Sequence, residues 1–89
     1  MPFATSPKAL AKDIADGFFD LTPLILKKYT SAEIKTINVN IHLLLREIRG
    51  EGVPSEDIPA IRQRNLRIQR LNQALLVLNT YCRKHRIPL

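Results

Sequence analysis

The chain reads as an all-α protein. An antiparallel helical hairpin, about 31–49 and 57–86, is covered by an N-terminal helical segment, which gives a three-to-four-helix bundle. Three observations predict this. Two long stretches place apolar residues three and four apart, the spacing of one helix face. A short polar loop containing Gly50, Gly52 and Pro54 separates them. No segment alternates apolar and polar residues long enough to argue for a strand.

The first element opens at Ser6-Pro7, a capping residue followed by proline where a missing N–H costs little. Leu10, Ile14 and Phe18 follow at helical spacing, flanked by Ala11, Ala15 and Phe19. Thr22-Pro23 repeats the cap signature, so a short piece from Pro23 to Tyr29 follows a bend. Thr30-Ser31-Ala32-Glu33 is a capping box that opens a long helix. Its predicted core face is Ile34, Ile37, Ile41, Leu44 and Ile48, with Gly50 as its stop.

Residues 50–56 read as the hairpin loop, 1–6 and 87–89 as short tails, and 1–89 as one domain. Ser55 or Asp57 caps the last helix, and Pro59 is tolerated in its first turn. Its core stripe is Ile61, Ile68, Leu71, Leu75, Leu78 and Cys82, interrupted by Arg64. Arg64 is expected to extend its head to solvent at the hairpin tip, or to pair with Glu47 or Asp57. Leu71 and Leu75 are expected to face Ile41 and Leu44.

With 89 residues the chain can bury roughly 60–65% of its unfolded surface, enough for one modest core. Its one cysteine, Cys82, excludes an intramolecular disulfide and suits a reducing, cytoplasmic setting. Met1 to Ser6 lack the basic start and apolar stretch of a secretory signal, and no apolar run is long enough to span a membrane.

Charge is distributed unevenly. After Asp57 there is no acidic residue, yet Arg62, Arg64, Arg67, Arg70, Arg83, Lys84 and Arg86 follow. The entire formal charge of +6 thus arises in the last helix and tail. In an antiparallel hairpin Arg46 and Arg49 approach Arg62, Arg64, Arg67 and Arg70. These six form a candidate anion-binding tip, because guanidinium groups pair with phosphate or carboxylate through two parallel hydrogen bonds. Stacking aromatics are absent there, and Glu47, Glu51, Glu56 and Asp57 dilute the positive field.

Other residues point to an interface. Val39 and Leu43 lie off the core stripe of the first long helix, and Leu66, Val77 and Tyr81 lie nearly opposite that of the second. Asn65, Gln69, Asn72 and Asn79, with Leu76 among them, form an uncharged polar strip, and Asn38, Asn40 and His42 lie on the other long helix. Amides avoid the cost of burying charge, so such strips suit partly buried contacts. The candidate protein interface is therefore Val39, Leu43, Leu66, Asn72, Leu76, Val77 and Tyr81.

Cys82 and His85 have metal-ligand spacing, but one pair supplies only two ligands, and no metal site is expected. Asp13, Asp16 and Asp20 are expected to be a solvated face. No catalytic motif, cofactor motif or small-molecule site is recognisable, so the chain is not expected to be an enzyme. The expected function is a small protein–protein interaction module (adaptor, regulator or assembly subunit) that self-associates or joins a hetero-complex through the outer faces of the two long helices. Binding of nucleic acid or another polyanion at the arginine tip is the alternative.

Overall fold

The computed structural model describes residues 6–52 and 56–89. Four helices follow in order: α1 (Pro7–Ala15), α2 (Pro23–Leu26), α3 (Ser31–Gly50) and α4 (Ile58–Lys84). The chain is all-α, and no strand occurs among the described residues. α3 and α4 pack against each other as the hairpin. α1 packs on both of them, and α2 packs on α4. Among the described residues, no helix is long and apolar enough to cross a membrane.

Each helix begins on a side chain that satisfies an otherwise unpaired backbone N–H. Ser6 Oγ accepts from Ala9 N at 3.1 Å, and Thr22 Oγ1 accepts from Ile25 N at 3.2 Å. At α3 the capping box is complete: Thr30 Oγ1 accepts from Glu33 N at 3.2 Å, and Glu33 Oε1 accepts from Thr30 N at 2.8 Å. That backbone bond, which favours the charged form, lowers the Glu33 pKa below its ordinary value. Asp57 caps α4 by accepting from Ala60 N at 3.1 Å. Ser55, the other candidate cap, lies outside the described residues, as do Val53 and Pro54 of the loop.

α1 is shorter than its apolar pattern predicts. Gly17 takes a left-handed conformation, φ +84°. Gly17 N then donates to Ile14 O at 3.2 Å, and Phe18 N to Asp13 O at 2.9 Å. These two bonds are the Schellman pair, which closes a helix. The backbone therefore turns before Phe18, which is 81% exposed instead of extending the core stripe. Phe19 packs against the core edge in its place.

The core is a single cluster centred on Ile14, Leu26, Ile34, Ile37, Ile41, Ile48, Leu71 and Leu78, each fully buried. Fully burying an aliphatic side chain of this size contributes about 1.5–3 kcal/mol. Ala11 and Ala15 let the α1 backbone approach α3 and α4 closely, and Ala74 joins the core face of α4. On α3 the expected stripe shifts by one residue near its end. Leu45 is buried, while Leu44 is half-buried at the core edge. Spacings of three and four alternate freely around a period of 3.6, so adjacent leucines compete for one core position.

α4 also ends in a Schellman pair. Arg86 N donates to Arg83 O at 3.4 Å, and Ile87 N to Cys82 O at 2.8 Å. The left-handed position is held by Arg86, φ 58°, where glycine is usual. Ile87 folds back against the core, the apolar contact that accompanies this closure.

Candidate protein-interaction site

The arginines of the expected anion-binding tip divide into two sets. Arg64, Arg67 and Arg70 are half-buried and turn toward the C-terminal ends of neighbouring helices. Arg64 Nε donates to Ile48 O at 3.3 Å and its Nη2 to Arg49 O at 3.4 Å. Arg70 Nη1 donates to Ala15 O at 3.1 Å. Arg67 Nε lies 3.5 Å from Asp16 Oδ1, an ion pair without good hydrogen-bond alignment, so that Nε is buried and unbonded. Arg64 thus contacts neither Glu47 nor Asp57, the acids expected for it. It meets backbone carbonyls, which the ends of helices leave without partners and which carry partial negative charge.

Spacing explains how one helix serves two others. Three residues advance about 300° around a helix, so each step from Arg64 to Arg67 to Arg70 falls back about 60°. The three guanidinium groups sweep from the side facing α3 to the side facing α1. Arg70 also lies directly over Gly17. A Cβ at that glycine would meet Arg70 Cζ at 3.1 Å, so the missing side chain makes room for the guanidinium. Arg46, Arg49 and Arg62 have exposed side chains at the same end of the hairpin.

The seven candidate interface residues do not form one surface. Leu66, Leu76, Val77 and Tyr81 line two adjoining clefts between α4 and the α1–α2 region. The first cleft runs between Ile14, Asp20 and Leu21 on one wall and Leu66, Arg70 and Val77 on the other. The second lies between Pro23 and Lys27 on one wall and Leu76, Val77, Tyr81, Lys84 and His85 on α4 and its cap. Val77 lines both, so the two clefts adjoin along α4 and are treated together as a groove. Leu66 and Leu76 are 47% and 61% exposed, while Val77 and Tyr81 form the half-buried floor. The Tyr81 and His85 rings lie 4.2 Å apart between centroids, one turn apart on the helix.

Leu43 lines a separate depression with Lys8, Lys12, Leu44 and Glu47 between α1 and α3. Val39 is exposed one turn earlier, and Asn72 is exposed on α4 away from either cleft. Of the polar strip, only Gln69 lines the groove. On α3 the Asn38 side-chain oxygen is buried without a hydrogen-bond partner, and Asn40 Nδ2 donates to Thr36 O at 2.8 Å. The polar residues thus do not form a shared strip across the two helices.

Sequence periodicity alone misses the opposite wall of the groove. Asp20, Leu21, Pro23 and Lys27 belong to the connection after α1 and to α2, and Leu24 beside Pro23 is 70% exposed. Gly17 was the available signal, because it stops α1 and sends the chain back along α4. Cys82 is buried in the core, whereas His85 is exposed, so the pair does not converge. Burial pushes the Cys82 thiol pKa up. Asp16 pairs with Arg67, and Asp20 lines the groove. Among the described residues, no three His, Cys, Asp or Glu side chains are placed to hold a metal ion.

The groove offers apolar anchoring positions beside a long helix, flanked by cations at its α2 end. Such a surface can receive a helix or an extended segment of another protein. Compared with known proteins, the chain matches no family model, no curated protein and no solved structure.

Proposed function

We propose that the chain is a small protein–protein interaction module of the reducing cytoplasm, acting by binding rather than by catalysis. The observation that carries this reading is the groove along α4, where exposed Leu66 and Leu76 flank the half-buried Val77 and Tyr81. Leu66 and Leu76 are about half exposed, so a partner that covers them recovers roughly half of the ~1.5–3 kcal/mol of full burial for each. Val39 and Leu43 on α3 give a second, smaller contact region of the same kind.

The exposed Arg46, Arg49 and Arg62 support a polyanion-binding role as the alternative. Engagement of Arg64, Arg67 and Arg70 within the chain halves the set of guanidinium groups on which that alternative rests. The test compares wild-type protein with Leu76→Asp, a change on an exposed side chain. Both are sedimented from micromolar to millimolar concentration and used to capture partners from host lysate, with and without nuclease. A nuclease-resistant complex, or self-association, that Leu76→Asp abolishes is expected. A protein that stays monomeric and captures nothing, or captures only through intact nucleic acid, overturns the proposal.

A further inference from the structure

We infer that the groove along α4 takes an amphipathic helix carrying acidic residues beside its apolar stripe; this rests on the interaction-module reading and names the partner's chemistry. Length is the first argument. From Leu66 to Lys84 the α4 side of the groove runs about 27 Å, at about 1.5 Å per residue. That length matches a helix of about five turns. The apolar positions follow helical steps, since Leu66, Val77 and Tyr81 project from one side of α4 with Leu76 at its outer rim. A second helix laid alongside would present its own residues at three-and-four spacing to them.

Charge supplies the second argument and selects the occupant. The rim at the α2 end is formed by Lys27 and Lys84, and Lys28, Arg83 and Arg86 are exposed beside them. Among the described residues, no carboxylate lines that second cleft. Asp20, three residues before Pro23, is the one acid lining the first. Arg70, which faces Asp20 across that cleft, already donates to Ala15 O. The second cleft is therefore apolar along its floor and cationic at its rim, whereas Asp20, Gln69, Arg70 and Gln73 make the first more polar. Carboxylates flanking the partner's apolar stripe meet Lys27 and Lys84, while a basic helix meets like charge at short range.

A second copy of this chain is a poorer occupant, because its own α4 has no acid after Asp57 and would bring further cations to the same rim. Nucleic acid is a poorer occupant, because a phosphate backbone would leave the apolar surface of Pro23, Leu76 and Val77 uncovered.

The test uses displayed helical peptides of about 18 residues, with leucines fixed at three-and-four spacing and the flanking positions varied among Glu, Gln and Lys. The peptides are selected on the folded chain. Peptides enriched in Glu are expected, with amide resonances shifting at Leu76, Val77, Tyr81 and Lys27. Lys27→Glu/Lys84→Glu is expected to weaken the Glu-rich peptides about tenfold or more and to shift selection toward Lys. Leu76→Asp is expected to abolish selection; its circular dichroism confirms that the fold is intact.

Binders that depend on Leu76 but show no preference for Glu overturn the acidic partner and leave the interaction module standing. So does Leu76-dependent self-association with no peptide selected. A monomer that selects no peptide overturns the acidic helix, and one that also captures no protein from lysate overturns both.

Discussion

Gly17→Ala tests the junction on which α1, α4 and the groove wall depend. Two independent costs apply. Gly17 has φ +84°, a left-handed conformation that costs an L-residue about 1–2 kcal/mol. The added methyl would also lie 3.1 Å from Arg70 Cζ and 3.3 Å from Arg70 Nε and Nη2. Arg70 must then shift, and its bond to Ala15 O, 3.1 Å long, is lost at about 0.5–1.5 kcal/mol. The total expected is about 1.5–3.5 kcal/mol, a large share of the stability of a small domain.

The two terms separate in a double-mutant cycle with Arg70→Ala. Without the guanidinium, the methyl has room and the bond is already absent, so Gly17→Ala should cost only the backbone term, about 1–2 kcal/mol. The coupling is then about 1 kcal/mol, read from urea titrations followed by circular dichroism with unchanged denaturant slope. A single-mutant cost under about 0.5 kcal/mol refutes the left-handed geometry. Strictly additive costs refute the packing of Arg70 over Gly17.

Three further outcomes follow from the fold. Leu71→Ala, at a fully buried position, should cost about 2–5 kcal/mol, while Leu76→Ala on the exposed rim should cost under about 0.5 kcal/mol; equal losses in urea titrations would contradict the assigned core. Arg86→Gly should stabilise the protein by about 1 kcal/mol, because it relieves a left-handed non-glycine residue at the end of α4, and an unchanged or lowered melting temperature would count against that geometry. Glu33→Gln should destabilise α3 at neutral pH. The Glu33 pKa is lower in the folded chain, so its contribution is full above the unfolded carboxylate pKa and disappears as pH falls through the folded value. The stabilities of the wild type and of the Glu33→Gln variant should therefore converge in acid, and a gap that persists there would remove the charge from the explanation.

Much of the architecture was legible in the residues because it rests on local rules. Ser6-Pro7, Thr22-Pro23 and the Thr30–Glu33 box mark helix starts through bonds made within three residues, and all three are present. The stripes of α3 and α4 are fixed by a helical period that does not depend on neighbours. The placement of Leu45 over Leu44 was not legible, because both fit the period and only the packing of the neighbouring helices selects between them. Phe18 was misplaced for a different reason. Its spacing matched the stripe, but the left-handed turn at Gly17 overrode periodicity.

The site depended still more on tertiary structure. The sequence by itself placed Leu66 and Leu76 off the core face, since angular position on a helix follows from residue number alone, whereas Val77 and Tyr81, read as nearly opposite that face, pack against the core edge. It also determined that α4 carries the chain's excess positive charge. Only the packed structure decided which of those charges are available. A guanidinium is satisfied equally by solvent, by a carboxylate or by the carbonyls at a helix end, and sequence spacing does not distinguish these. The C-terminal ends of α1 and α3 come within reach of Arg70 and Arg64 through contacts between residues 15 to 55 positions apart. The same long-range packing sets Asp20, Pro23 and Lys27 opposite α4 and creates the groove, which belongs to no single element.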